Sequence, residues 1–276
     1  MTAENGTNQA IERALAVLGA FSTKNPVLRV ADVARICGIG TSTASRVLAT
    51  LAAEGMTQRD DNGQYQLGYR MISLGGIALN NSSVYRRSRN VAYGLSCELG
   101  AGVNVAELQD GHVFYLLNFD GKYAPRDSTL IGQYYPVHAT GLGRCLLCEL
   151  DVDERDRLLG PAPLPAYTAF TIVDRDQLEL ELARVRERGY AIEREEIGLT
   201  RACVAAPIRD KTGKVVAAIS ISGPLSLLRL EERTSELAQV VIEAADRIST
   251  SLGAYVVPQF SRDRGVVPQP AHRAVD

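Results

Sequence analysis

Apolar residues recur at helical spacing through the first third of the chain. Over residues 9–22, Ile11, Leu15, Leu18 and Phe21 form one stripe, which predicts a helix broken by Asn25-Pro26. Residues 31–37 predict a second, short helix with Val33, Ala34 and Cys37 inward. Gly38-Ile39-Gly40 makes a tight turn, and Thr41 suits the N-cap of a third helix that ends at Gly55. Ala44, Val47, Leu48 and Leu51 give that helix an i, i+3, i+4, i+7 inner face. Two short extended runs, Met56–Asp60 and Gln64–Gly68, flank Asp61-Asn62-Gly63, a strong hairpin signal. Residues 69–83 then read as a very apolar helix, and another runs to about Leu99.

From residue 100 the period changes. Val103–Leu108 and His112–Phe119 alternate as strands around Asp110-Gly111, and Tyr123–Tyr135 reads as a loop. Helices are expected over 140–150, over 152–160, and from Asp174/Asp176 to Arg188, capped by Gly189. Cys203–Arg209 and Lys214–Ser222 are strands around a four-residue connection, and Leu230–Leu252 is a long amphipathic helix. Antiparallel strands with helices beside them make an α+β domain. The boundaries are 1–68 for the helix-helix-hairpin domain, 69–83 for the linking helix, 84–255 for the second domain, and 256–276 for a disordered tail rich in Pro, Arg and Gly.

Composition narrows the function. The chain has 276 residues, 46% hydrophobic and 22% charged, so it is globular. The polar stretch Met1–Asn8 lacks a signal core and no run suits a membrane span, so a cytoplasmic protein with no membrane partner is expected. Five cysteines fit reduced thiols rather than a disulfide framework. Three histidines offer no His-rich metal site, and no cofactor motif is present. The net charge of −2 conceals a split of +4 over residues 1–90 and −6 beyond. A basic front suits a polyanion.

Helix, helix, turn, helix, hairpin is the order of a winged helix-turn-helix. The outer side of the third helix carries Thr41, Ser42, Thr43, Ser45, Arg46 and Thr50. Hydroxyls at a helix N-terminus suit phosphate oxygens, and Arg46 suits a guanine edge or a phosphate. Arg59 at the hairpin reaches for the DNA backbone. A three-helix bundle with a polar outer face would look similar in part.

In the second domain, pairing Arg209 with Lys214 sets Cys203 opposite Ser220, with Ser222 on the same face. Gly141, Leu142 and Gly143 open a helix whose free amides attract an anion. The predicted cradle therefore joins a thiol, two hydroxyls and backbone donors. Two buried, backbone-bonded serines and tight helix packing at the glycines explain the same residues without a ligand. Cys145 and Cys148 read as core thiols, since no second CxxC accompanies them. Cys203 with His138 resembles a nucleophile and base without a supporting signature. Glu193, Glu195 and Glu196 read as a solvated turn.

These segments together resemble the IclR family of bacterial transcription regulators over residues 9–254. The resemblance rests on Ala10-Ile-Glu-Arg-Ala-Leu-Ala-Val-Leu, Thr43-Ala-Ser-Arg-Val-Leu-Ala-Thr-Leu, Gly63-Gln-Tyr-Gln-Leu-Gly, Pro136-Val-His-Ala-Thr-Gly-Leu-Gly-Arg, Cys203-Val-Ala-Ala-Pro-Ile-Arg-Asp and Ala218-Ile-Ser-Ile-Ser-Gly-Pro. It implies a winged helix-turn-helix joined by a helix to a GAF-like effector domain; the apolar residues of 69–83 themselves suit packing on a partner protomer, as a dimerisation helix, or on their own domain. It implies dimers or tetramers on palindromic double-stranded operators, most often repressing neighbouring catabolic genes. It also implies a small-carboxylate pocket of Gly141, Leu142, Glu193, Cys203, Ser220 and Ser222. Glu193 stands where an aspartate is frequent, and suits a ligand hydroxyl better than an anion. Arg144 stands where a lysine is common. Tyr123, Tyr134 and Tyr135 are candidates for the wall of an aromatic-acid pocket, or for packing. The expected protein is a regulator rather than an enzyme, with a hydroxybenzoate-like or a glyoxylate- or pyruvate-like effector. The competing readings are a cysteine-dependent enzyme of small acids or esters, and a DNA binder without an effector.

Overall fold

The computed structural model describes residues 8–122 and 130–255. The chain divides at Arg86 into two units. Tyr123 and the 256–276 tail lie outside the described residues.

In the first unit, the Asn8 side chain accepts from the Ala10 amide and opens α1 (Gln9–Gly19). β1 (Val27–Leu28), α2 (Val30–Cys37) and α3 (Thr41–Ala53) follow, then β2 (Thr57–Arg59), β3 (Tyr65–Leu67) and α4 (Tyr69–Asn81). The three short strands form one antiparallel sheet in the order β1-β3-β2. Val17, Val33, Ala44 and Leu48 are fully buried at the centre. The stripe expected on the first helix is only half right. Ile11 and Leu15 are exposed, and the core side is Val17 and Phe21. Thr41 is not the N-cap of α3. Gly40 is, and no side chain caps that end. The wing is closed by Asp60, whose Oδ1 accepts from the amides of Asn62 (3.0 Å) and Gln64 (2.7 Å). Thr57 is buried and donates its hydroxyl to Leu48 O at 3.3 Å, tying wing to α3.

The second unit is a six-stranded antiparallel sheet, in the order β6-β5-β4-β9-β8-β7. Its strands are β4 (Gly102–Gln109), β5 (His112–Phe119), β6 (Tyr134–Pro136), β7 (Ala191–Arg194), β8 (Arg201–Arg209) and β9 (Val215–Pro224). Its helices are α5 (Ser83–Leu99), within which the division at Arg86 falls, α6 (Gly141–Leu147), α7 (Val152–Leu159), α8 (Arg175–Arg188), α9 (Leu225–Leu228) and α10 (Leu230–Ser251). Strand alternation splits the core between two faces. α10 packs across β8 and β9 on one. On the other, Leu142, Cys145, Leu178, Leu182 and Val185 of α6 and α8 meet Ala205 and Ala218 of the sheet.

Three expectations need correction here. Tyr123–Tyr135 does not end as loop, because Tyr134–Pro136 pairs with His112–Phe114 as an edge strand. Glu193 and Glu196, expected on a solvated turn, are buried, and Glu193 lies in β7, paired with Cys203. The β8–β9 register differs by two residues. Cys203 faces Ser222 and Ala205 faces Ser220. One residue of the difference comes from the turn, since Arg209 pairs with Val215. The other comes from a bulge between Ile208 and Arg209. An even shift preserves facing, so Cys203, Ser220 and Ser222 still share one side of the sheet.

Candidate functional site

The register lays polar residues out as a grid on the α6 side of the sheet. Glu193, Cys203, Ser222 and Gly102 pair in sequence across β7, β8, β9 and β4. In the adjacent row, Ala205, Ser220, Asn104 and Asn118 do the same across β8, β9, β4 and β5. Neighbouring strands stand about 4.8 Å apart, so the grid is a floor that one small molecule spans. Above it is a cavity of about 300 Å³, walled partly by Tyr115, Tyr135, Leu130 and Leu142.

Asn104 organises this floor and escaped the sequence reading. It is buried, its Oδ1 accepts from Asn118 Nδ2 at 3.0 Å, and its Nδ2 donates to Ser222 Oγ at 3.0 Å and Ser220 Oγ at 3.5 Å. A buried amide with both ends bonded is strongly oriented. Both serines accept from Asn104; Ser222 Oγ donates in turn to Gly102 O at 3.4 Å, and the Ser220 hydroxyl proton is the one left to donate. The signal available in sequence was the alternation of β4, which puts Asn104 opposite Ser220, but only once the strand order is known.

Of the six residues named for the pocket, Leu142, Glu193, Cys203, Ser220 and Ser222 line the cavity. Gly141 lies behind the wall. A Cβ there would come within 2.8 Å of Cys203 Sγ, so the glycine allows α6 to sit on β8. Of the tyrosines, Tyr135 lines the cavity and packs against Tyr115, the two rings tilted with centroids 5.2 Å apart. Tyr134 points away. It is exposed and packs against Phe114 and His112, so its place in the pocket wall is withdrawn. Strand alternation in β6 is the reason.

The ionisable groups are shaped by burial. Burial pushes the Glu193 carboxyl up to about 7, against the pull of the Glu196 and Ile197 amides, which both donate to its Oε1. Burial also pushes the Cys203 thiol well up, with Glu193 opposite adding to it. A thiol held protonated is a poor nucleophile. His138 gives it no base: Nε2 lies 2.9 Å from Pro165 O, and burial lowers its basicity. Cys145 and Cys148 are buried core thiols, and Cys148 Sγ donates to Cys145 O. Among the described residues no group of three or more His, Cys, Asp or Glu is placed to hold a metal.

Arg144 acquires a role that the sequence left blank. Its guanidinium is fully buried, pairs with Glu196 and donates to Ile192 O at 2.8 Å. It thereby holds α6 to the strand that carries Glu193.

On the first unit, Thr41, Ser42, Ser45, Arg46 and Thr50 are exposed on α3 and Thr43 is half-buried. Thr43, Arg46 and Thr50 border a groove shared with Arg13 of α1. The Thr50 hydroxyl donates to Arg46 O at 3.0 Å, so its proton is spent within the helix. Ser42, Ser45 and Arg46 make the outward row. Arg59 is exposed on the wing, 5.8 Å over the Tyr65 ring.

A winged helix-turn-helix with an exposed reading face on one unit, and a sheet domain holding a polar cavity as the other, define a DNA-binding regulator with a ligand-binding domain. Residues 10–61 match the family model of the IclR helix-turn-helix domain, and residues 77–250 match that of the bacterial transcriptional regulator IclR C-terminal domain. The chain belongs to the IclR family and is a transcription regulator, not an enzyme. The transcriptional repressor IclR of Escherichia coli K12 is 31% identical over 251 residues, 90% of this chain and 91% of that protein. The repressor AllR of Salmonella typhi is 32% identical over 253 residues, 91% and 92% of the two chains. An IclR homolog of Microbacterium hydrocarbonoxydans, solved with 4-hydroxybenzoate, superposes with a TM-score of 0.78 at 25% identity, over 88% of this chain and 98% of that one. No helix among the described residues is long and apolar enough to cross a membrane.

Proposed function

We propose that this regulator is a cytoplasmic repressor whose effector is a small carboxylic acid, aromatic and hydroxybenzoate-like or short and aliphatic, held in the cavity over β8 and β9. The observation that carries the reading is the orientation of Ser220 and Ser222 by Asn104 at one wall, which leaves the Ser220 hydroxyl as a donor and holds Ser222 beside it on a long bond to Gly102 O. Donors facing inward select an acceptor, and an anion most of all. Glu193 Oε2 faces a ligand hydroxyl, since Oε1 is taken by two amides. The 4-hydroxybenzoate bound by the Microbacterium neighbour has both groups. Residues 1–68 are the DNA-binding domain, 69–83 the linker, and 84–255 the effector domain in this reading. α4 buries none of its residues and exposes Tyr69, Ile72 and Ile77, which supports pairing into dimers or tetramers on a palindromic operator. The effector acts by binding the DNA-competent and DNA-incompetent arrangements with different affinity.

Three outcomes follow. Arg46→Ala is expected to raise the operator Kd roughly 5- to 150-fold, the loss of one guanidinium contact to a base edge or phosphate. A gel shift at fixed salt reads it, and equal affinity removes Arg46 from the interface. Ser220→Ala with Ser222→Ala is expected to raise the effector Kd at least about tenfold by calorimetry, leaving the operator Kd unchanged. An unaltered effector Kd refutes the pocket.

The third concerns pH. Below about 7 Glu193 is protonated and neutral; above it a second negative charge shares the cavity with the bound anion. Affinity for an acid is therefore highest below pH 7 and weakens as pH rises through it, by up to about tenfold per unit. Cys203, Glu196, Arg144 and Tyr115 surround that carboxyl and are unchanged in Glu193→Gln. That variant is expected to flatten the profile, and a profile with the same slope in both proteins eliminates Glu193 as its source.

A further inference from the structure

Arg201 begins β8 two residues before Cys203, so alternation sets both on the cavity side of the sheet. It lines the cavity and also borders a small recess formed by Gly100, Gly121 and Gly223. Ser222 and Gly102 border both spaces with it. Burial pushes the Tyr115 hydroxyl up, and Arg201 opposes that weakly.

Two facts set this arginine apart. Arg144, Arg155, Arg188 and Arg209 are each committed to a glutamate. Arg201 makes no ion pair or side-chain hydrogen bond with any described residue, and among the described residues it is the one cation of the cavity wall. The rival anion site is weak. α6 has only seven residues, the Thr140 hydroxyl takes the Gly143 amide at 3.1 Å, and Gly141 is turned to Cys203.

We infer that Arg201 is the carboxylate anchor of the effector. Resting on the acid-effector reading above, this orients the ligand and narrows its class. The carboxylate lies across the Arg201 fork with the Ser222 hydroxyl beside it, and the far end meets Glu193. The effector is then a monocarboxylic acid with an uncharged hydrogen-bonding group at its other end. A neutral analogue lacks a partner for the guanidinium. A second carboxylate would meet Glu193 and is selected against.

The test uses the full chain in three forms: wild type, Arg201→Gln and Arg201→Lys. Each is titrated by calorimetry, after a thermal-shift screen, with 4-hydroxybenzoate, glyoxylate, pyruvate and lactate and with the carboxamide of each. For an acid that wild type binds, we expect at least about a tenfold weaker Kd in Arg201→Gln, an intermediate Kd in Arg201→Lys, and weak binding of the amide by all three. An acid bound equally by wild type and Arg201→Gln overturns the anchor and leaves the acid-effector reading standing. Equal binding of acid and amide by wild type overturns the anchor without using a variant, should Arg201→Gln fail to fold. If wild type binds none of the acids, the effector reading falls and the anchor falls with it.

Discussion

Gly143→Ala is expected to destabilise the second unit by about 3 kcal/mol or more and to lower its melting temperature by roughly 6–12 °C. A Cβ at this position would stand 2.1 Å from Val137 O and 2.4 Å from Val137 Cα. Those are backbone atoms of the segment that turns from β6 into α6, and they have no rotamer with which to move aside. The same segment is pinned by Thr140, whose hydroxyl donates to Pro136 O at 3.0 Å and accepts the Gly143 amide. Relief therefore requires shifting the start of α6, which walls the cavity through Leu142. Thermal unfolding followed by circular dichroism reads the effect, and effector affinity is expected to fall with it. A melting temperature within about 2 °C of wild type would show that the turn relaxes cheaply.

Glu196→Ala is expected to cost about 3–5 kcal/mol. Removing the carboxylate leaves the Arg144 guanidinium charged in a fully buried place, with only Ile192 O to meet it. Arg144 Nε already has no hydrogen-bond partner among the described residues, so the site has no reserve. Glu196 also receives the Thr171 hydroxyl on its backbone carbonyl at 2.6 Å, which ties the 161–173 segment to the end of β7. Arg144→Leu combined with Glu196→Leu removes both charges and is expected to recover much of the loss, because the desolvation penalty disappears with the ions. Chemical denaturation of the single and double variants measures it. A loss below about 1 kcal/mol in Glu196→Ala would mean that water reaches Arg144.

The reading of the α3 face and the reading of the cavity were legible to different depths. Ala44, Leu48 and Leu51 mark the inner side of α3 by spacing alone, so Ser42, Ser45 and Arg46 had to face out. The wing followed from Asn62-Gly63 between two short extended runs. Both are local, since each pattern lies within a dozen residues. Ile11 and Leu15 show the limit of that logic, because an apolar stripe reports what seeks cover and not which partner provides it. β7 hid for a related reason. Of its four residues Glu193 and Arg194 are charged, and nothing in so short a segment announces that α6 will cover it.

By itself the sequence determined the element order, the two-domain class, the family and the shared face of Cys203, Ser220 and Ser222, because these depend on period and on parity. Tertiary structure alone decided the β8–β9 register, the burial of Glu193, the Arg144–Glu196 pair, and the arrival of Asn104 and Arg201 at the cavity. A bulge at Ile208/Arg209 has no local signature, and Asn104 meets Ser222 across 118 residues of chain. Such meetings are set by which strands become neighbours, a choice made by packing of the whole sheet against α6 and α10.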